Sequence, residues 1–164
     1  MTMNIYTFAQ RMELEGKGWY ENLSATADFI GLKNIFTMLA ADEQKHYDTI
    51  TAMIDRGTTE EMSDSFSLET AKSVFIGLED KAARAKMMKK DLDGYRLAMK
   101  IEVESVRLYE DAAAKEQHDS TRALLLKIAG EEKMHYTIME NICDFVEKPE
   151  YFLAWREFSN LQEF

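Results

Sequence analysis

The chain has 164 residues, of which 46% are hydrophobic and 30% charged, a composition typical of one folded domain rather than a disordered segment. Its formal net charge of −10 argues against a general affinity for nucleic acid or an anionic membrane, because both require a cationic face. No stretch approaches the roughly 18 consecutive apolar residues of a membrane-spanning helix, and residues Met1–Gln10 lack the apolar core of a signal peptide. We therefore expect a cytoplasmic protein.

Few residues in the chain can interrupt a helix. Seven glycines and one proline, Pro149, are too few for a fold built from many turns, which favours long helices over a sheet. The single cysteine, Cys143, excludes an internal disulfide, and no Cys-x-x-Cys pair exists for a rubredoxin-type iron site.

The first two predicted helices each carry a row of core-facing residues at alternating steps of three and four. Asn4 can cap the first helix, and its row contains Tyr6, Ala9, Glu13, Gly16, Tyr20, Leu23 and Ala27. After a turn at residues 28–31, the second row contains Leu32, Phe36, Leu39, Glu43, His46, Ile50 and Met53, and Gly57 can end that helix. Each row places ionisable side chains at its middle, where apolar residues are the rule.

A long connection follows over residues 58–92. We predict a loop at residues 58–65, a short helix from Leu68 to about Lys81, and a solvated turn at the basic stretch Lys86–Lys90. A connection of this length can cross the whole length of a helical bundle, as in ferritin-like folds.

The third and fourth helices repeat the pattern of the first two. Asp93 can cap the third helix, whose row contains Tyr95, Ala98, Glu102, Ser105, Tyr109 and Ala112. Asp119 or Ser120 can cap the fourth, Pro149 stops it, and its row contains Leu125, Ile128, Glu132, His135, Met139, Ile142 and Val146. We thus predict an all-α, ferritin-like four-helix bundle over residues 1–148, made of two αα-hairpins joined by the crossover 58–92.

The last residues, 149–164, form a predicted helical extension with an aromatic stripe. The stripe contains Tyr151, Phe152, Trp155, Phe158, Leu161 and Phe164. A stripe this apolar is not expected to stay in water. Two interpretations remain open, in which the extension either folds over the bundle or contacts the second subunit of a dimer.

The two halves of the chain are related by an internal repeat. Glu43-x-x-His46 returns 89 residues later as Glu132-x-x-His135, and the same shift places Glu13 on Glu102. Between positions 9 and 55, 11 of 47 residues are identical to their shifted counterparts. On a helix, residues three apart lie on one face, so each Glu-x-x-His presents a carboxylate and an imidazole together.

The repeated side chains have the composition of a dinuclear metal site. Four carboxylates at one level of a bundle core repel one another and are costly to bury without cations. Two divalent metal ions would neutralise them, with the two imidazoles as neutral ligands. Mixed oxygen and nitrogen donors favour iron or manganese, and the absence of thiolates argues against structural zinc. The predicted ligands are Glu13, Glu43, His46, Glu102, Glu132 and His135.

Several neighbours of these residues have candidate supporting roles. Tyr20 and Tyr109 lie two turns after Glu13 and Glu102, so their hydroxyls can bond ligand carboxylates or simply fill the core. Asp42 and Glu131 precede the two motifs and can accept a hydrogen bond from a ligand histidine or remain solvated. The small side chains of Gly16 and Ser105 leave room one turn after Glu13 and Glu102.

Taken together, these motifs resemble the rubrerythrin branch of the ferritin-like superfamily. The resemblance covers about residues 5–147 and rests on Glu13-x-x-Gly16-x-x-Trp19-Tyr20, Glu43-x-x-His46, Glu102-x-x-Ser105-x-x-Leu108-Tyr109 and Glu132-x-x-His135. It implies a diiron-carboxylate centre held by the six predicted ligands, commonly a homodimer, and chemistry with hydrogen peroxide or dioxygen.

Two features depart from that family's pattern. Rubrerythrins proper carry a further glutamate one turn after the third-helix ligand, where this chain has Ser105. They also carry a rubredoxin domain, for which this chain has no cysteines. The first departure bears on a peroxidase mechanism that exchanges ligands, and the second means that electrons come from an external donor protein.

Three functions therefore compete. The leading hypothesis is an oxidoreductase with two iron ions, manganese being possible, that acts on peroxide or dioxygen. The alternative is a ferroxidase that binds and stores iron, which requires a closed cage. In the third, the protein is a metal-stabilised helical interaction module without catalysis.

Overall fold

The structure, a computed structural model, describes residues 4–57 and 61–151. Four long helices form the bundle: α1 (Ile5–Thr26), α2 (Ile30–Arg56), α5 (Leu92–Lys115) and α6 (Asp119–Glu147). Two short helices lie in the crossover, α3 (Ser67–Ile76) and α4 (Lys81–Met88). None of the described residues lies in a β-strand, so the predicted all-α bundle with a long crossover is confirmed.

Each half of the bundle is an antiparallel helical hairpin. In the first, Gln10 bonds Thr51 at 2.8 Å near one end, and Ser24 lies 3.1 Å from Thr37 near the other. In the second, Lys133 reaches Glu110 and Arg96 reaches Glu147, both at 3.1 Å. The repeat in the sequence is therefore a repeat of whole hairpins.

The helix ends follow the prediction at the first hairpin and depart from it at the second. Asn4 Oδ1 accepts from the Tyr6 amide at 2.8 Å, and Gly57 ends α2 in the left-handed region with φ of 62°. The caps predicted at Asp93 and at Asp119 or Ser120 are wrong. A 3₁₀ helix at Lys89–Asp91 runs directly into α5, and α6 begins at Asp119 itself, with His118 at the cap position.

The crossover contains two helices where one was predicted. The predicted helix from Leu68 to Lys81 ends at Ile76, and Asp80 takes a left-handed φ of 51° before α4 begins. The stretch Lys86–Lys90 is not a solvated turn, because it completes α4 and enters the 3₁₀ helix. Met88 is 1% exposed, so burial of its side chain holds this stretch against the bundle while the lysines face water.

Apolar residues fill the bundle on both sides of an acidic middle layer. One cluster, which includes Leu32, Phe36, Phe75, Tyr95 and Ile142, lies toward the α1–α2 turn. The other, which includes Ile50, Met62, Leu125 and Ile128, lies toward the opposite end. Burial of this apolar surface stabilises the fold and offsets the cost of the charged layer between the clusters.

The C-terminal extension is described only as far as a 3₁₀ helix at Pro149–Tyr151. Its predicted packing involves residues 152–164, which lie outside the described part of the chain. None of the helices that the structure describes combines the length and the apolar character needed to cross a lipid bilayer.

Candidate metal centre

The six predicted ligand side chains meet in the acidic middle layer. Each of the four long helices supplies a glutamate, and α2 and α6 add one histidine each. Every one of these residues is buried, with at most 4% of its surface exposed: Glu13, Glu43, His46, Glu102, Glu132 and His135.

These side chains form two overlapping groups, each with one ligand atom per residue and all such atoms within 4.8 Å of one another. The first group consists of Glu13, Glu43, His46 and Glu132. The second consists of Glu43, Glu102, Glu132 and His135. Glu43 and Glu132 belong to both groups, so their carboxylates lie where a bridging ligand between two ions would lie.

Both imidazoles turn the same nitrogen toward the carboxylates. His46 Nδ1 is 2.8 Å from Glu132 Oε1 and 3.4 Å from Glu13 Oε2. His135 Nδ1 is 3.0 Å from Glu43 Oε1 and 3.3 Å from Glu102 Oε1. The rings stack with centroids 5.9 Å apart. Nδ1 is thus the nitrogen available to a metal ion in each case.

The opposite nitrogens bond carboxylates of the other hairpin. His46 Nε2 on α2 is 2.9 Å from Glu131 Oε1 on α6, and His135 Nε2 on α6 is 2.9 Å from Asp42 Oδ2 on α2. Because carboxylates accept, each Nε2 donates to its carboxylate, and each Nδ1, which faces the predicted ligand carboxylates, would become the ligand atom once a metal ion displaces its proton. Asp42 and Glu131 thus orient the histidine of the facing motif, not that of their own.

The two tyrosines also bond across the bundle. Tyr20 on α1 donates to Glu102 Oε1 on α5, and Tyr109 on α5 donates to Glu13 Oε1 on α1, each at 2.5 Å. The spacing in the sequence placed each tyrosine near the glutamate of its own helix. The helices instead pack so that each hydroxyl reaches the equivalent glutamate of the partner hairpin.

Three residues beside the site carried no recognisable signal in the sequence. Ser65 and Ser67 donate to Asp42, and Lys45 Nζ lies 3.0 Å from Glu131 Oε1. Both serines lie outside the periodic rows, near the start of the crossover. Their contact with Asp42 depends on how this part of the crossover packs against α2.

The donor set fits a pair of divalent cations. Glu13 Oε2, Glu102 Oε2 and Glu132 Oε2 are buried without any hydrogen-bond partner among the described residues. A buried carboxylate oxygen without a donor is costly unless a cation binds it. The lack of a side chain at Gly16 leaves room for the Glu43 carboxylate, because a Cβ at this position would lie only 3.2 Å from Glu43 Oε2.

Burial and mutual repulsion shift the protonation of the metal-free cluster. Burial first, and then neighbouring carboxylates, raise the pKa of Glu13, Glu43 and Glu102 above the ordinary value. Burial would also raise the pKa of Glu132, but hydrogen bonding from its neighbours and the two histidines hold it well below.

Both imidazoles become more basic in the cluster. Burial lowers the pKa of each, but the surrounding carboxylates outweigh burial and raise the pKa of His46 and His135 well above the ordinary value. Protons therefore occupy this layer when metal does not, and metal binding must displace them.

A family model described as Rubrerythrin matches residues 4–143, which is most of the chain and includes all six predicted ligands. The comparisons with curated proteins and with solved structures gave no significant match.

Proposed function

Because the chain belongs to the rubrerythrin family, we propose that it is a diiron-carboxylate oxidoreductase that reduces hydrogen peroxide or dioxygen. The observation that carries this proposal is the pair of overlapping ligand groups that share Glu43 and Glu132. A site of this form holds two ions close together, as a two-electron reaction at one oxidant requires.

The residues that would hold the two ions are Glu13, Glu43, His46, Glu102, Glu132 and His135, of which Glu43 and Glu132 belong to both ligand groups. Four carboxylates balance the charge of two Fe(II) ions, so the neutral imidazoles add donors without adding charge. Manganese suits the same oxygen and nitrogen donors and is the alternative metal.

When bound, the iron pair supplies one electron from each ion to the oxidant. The chain's own residues hold and shield the reacting position. Tyr20 and Tyr109 fix one oxygen of Glu102 and one of Glu13, which leaves the other oxygen of each carboxylate free for metal. Gly16 leaves space beside Glu43, and the apolar clusters on both sides keep water from the layer.

Ser105 argues against a mechanism in which the metal exchanges one glutamate for another. The residue one turn after Glu102 has no carboxylate, and its hydroxyl donates to the Ile101 carbonyl at 3.0 Å. This hydroxyl is therefore engaged with its own helix, and the proposed ligand set has no further carboxylate at this position.

We propose a cytoplasmic homodimer that receives electrons from a separate donor protein, since the only cysteine, Cys143, cannot form a rubredoxin site. A ferroxidase that stores iron would instead need a closed cage. Sedimentation at micromolar concentration distinguishes the two, because a cage sediments far faster than a dimer.

Anaerobic Fe(II) loading tests the proposed function directly. We expect about two irons per chain and a new Fe(III) absorption after one equivalent of peroxide, formed faster than in free Fe(II). Glu132→Gln should abolish both, because it removes a shared carboxylate. Glu104→Gln is the matched control, since Glu104 repeats Glu15 in the sequence but is exposed on α5. Stopped-flow oxidation no faster than that of free Fe(II) would refute the proposal.

A further inference from the structure

The repeat that relates the two halves of the site is broken directly behind the histidines. The position of Asp42 in the first motif is taken by Glu131 in the second, and that of Lys45 by Met134. The six proposed ligands themselves obey the repeat without exception. Any difference between the two metal positions must therefore come from residues other than the ligands.

Behind His135, the supporting carboxylate is fixed by neutral donors. Asp42 Oδ2 accepts from His135 Nε2 at 2.9 Å, from Ser65 Oγ at 2.5 Å and from Ser67 Oγ at 2.7 Å. The ammonium of Lys45 is 3.8 Å away and faces the other oxygen, Oδ1. Hydroxyl donors orient the carboxylate without neutralising it.

Behind His46, the supporting carboxylate is paired with a cation. Glu131 Oε1 accepts from His46 Nε2 at 2.9 Å and lies 3.0 Å from Lys45 Nζ. The Lys45 ammonium and the His46 imidazole contact the same oxygen of Glu131. The ammonium therefore reduces the negative charge that this oxygen presents to the imidazole. Met134, at the repeat position of Lys45, has no charge with which to do the same to Asp42.

The serines are held in place by the strap, by which we mean residues Met62–Ser67 near the start of the crossover. Lys45 Nζ bonds the Ser63 carbonyl at 2.9 Å. Lys127 Nζ bonds the Met62 carbonyl and lies 2.8 Å from Asp64 Oδ1, while the Met62 side chain is buried in the core. The strap is thus anchored to α2 and α6 through the three residues directly before Ser65.

We infer that Ser65 and Ser67 are positioning residues that act through Asp42 on His135 and make the two metal positions unequal. This inference rests on the proposed dinuclear site. An unneutralised carboxylate behind an imidazole makes it a stronger ligand, and loss of such a partner typically costs 10–100-fold in metal affinity. The first ion therefore binds at the His135 position and the second at the His46 position.

Anaerobic Co(II) titration of the full chain, followed by the cobalt absorption bands, tests the order of binding. We expect two steps separated by about tenfold or more in affinity. Ser65→Ala/Ser67→Ala should weaken the first step by on the order of tenfold and leave the second within about threefold. Ser63→Ala is the matched control, since Ser63 is exposed and only its backbone carbonyl bonds Lys45.

A second readout identifies which histidine has changed. In the Co(II)-loaded protein, each ligand imidazole has one paramagnetically shifted Nε2 proton, assigned through Asp42→Asn and Glu131→Gln. The double serine variant should move or broaden the His135 signal alone. Lys45→Met removes the cation beside Glu131 while Lys127 still holds the strap, so it should act in the opposite sense, by strengthening the second step and shifting the His46 signal.

The outcomes separate this inference from the proposed function. Two equal binding steps in the native protein, or histidine signals that both move or both stay in the serine variant, would overturn the inference and leave the dinuclear site intact. No cobalt binding at all would overturn the proposed site itself, and the inference with it.

Discussion

The hydroxyl of Tyr20 lies 2.5 Å from Glu102 Oε1, although the two residues belong to different hairpins. The equivalent hydrogen bond in the other half of the repeat joins Tyr109 and Glu13. Two buried hydrogen bonds thus join the hairpins at the level of the metal site. They stabilise the bundle and orient the ligand carboxylates at the same time.

Removal of one of these hydroxyls should therefore affect both stability and metal binding. Tyr20→Phe leaves the buried Glu102 carboxylate without its donor, and we expect a loss of about 1–3 kcal/mol in the free energy of unfolding. Urea titration measures this loss. Tyr136→Phe is the control, because the hydrogen bond from the Tyr136 hydroxyl to Glu140 lies within one helix and is only partly buried. Equal losses in both variants would contradict the role assigned to the Tyr20 bond.

Glu43→Gln should stabilise the metal-free protein while it removes metal. Burial and the repulsion of three other glutamates raise the pKa of Glu43, so a neutral amide of the same shape relieves unfavourable charge. We expect the metal-free variant to gain about 1–3 kcal/mol at pH 7.5. Addition of Fe(II) under argon should then raise the Tm of the native protein and leave that of the variant unchanged.

The metal-free protein should become less stable as the pH rises from 5 to 8. The carboxyls of Glu13, Glu43 and Glu102 have pKa values raised above the ordinary 4.5, and the imidazoles of His46 and His135 above 6.5. A raised pKa means that the folded state binds more protons than the unfolded chain, so stability is lost with rising pH.

The groups with lowered pKa values do not reverse this trend in the same interval. The pKa values of Asp42, Glu131 and Glu132 lie below their ordinary range, so their contribution is complete above about pH 5 and is lost only on acidification. Calorimetry from pH 5 to 8 should show a falling Tm without metal. With metal the slope should reverse, because the ions displace protons from the ligands. A flat profile without metal would contradict the prediction.

Gly16→Ala and Gly18→Ala form a matched pair two residues apart on α1. A methyl group at Gly18 meets nothing within 4 Å, so Gly18→Ala should gain about 0.5–1 kcal/mol from helix propensity alone. A methyl group at Gly16 lies 3.2 Å from Glu43 Oε2, which must shift. We expect Gly16→Ala to lower iron content by at least half, measured by metal analysis after gel filtration, and Gly18→Ala to leave it unchanged.

The sequence alone predicted the bundle, its two hairpins and the residues that meet at its centre. Helical periodicity indicates which residues face inward, and the 89-residue repeat indicates that Glu13, Glu43 and His46 recur as Glu102, Glu132 and His135. Local chemistry determined Asn4 and Gly57 as helix ends, because a side-chain acceptor and a left-handed glycine act within a few residues.

Only the tertiary structure decided which supporting residue forms a hydrogen bond with which predicted ligand. Tyr20 bonds Glu102, Asp42 bonds His135, and Ser65 and Ser67 reach Asp42 from the crossover. None of these pairs shares a helix, so helical spacing carries no information about them. They depend on how the hairpins face each other and on where Lys45 and Lys127 anchor the strap, which is set by packing of distant parts of the chain rather than by local sequence.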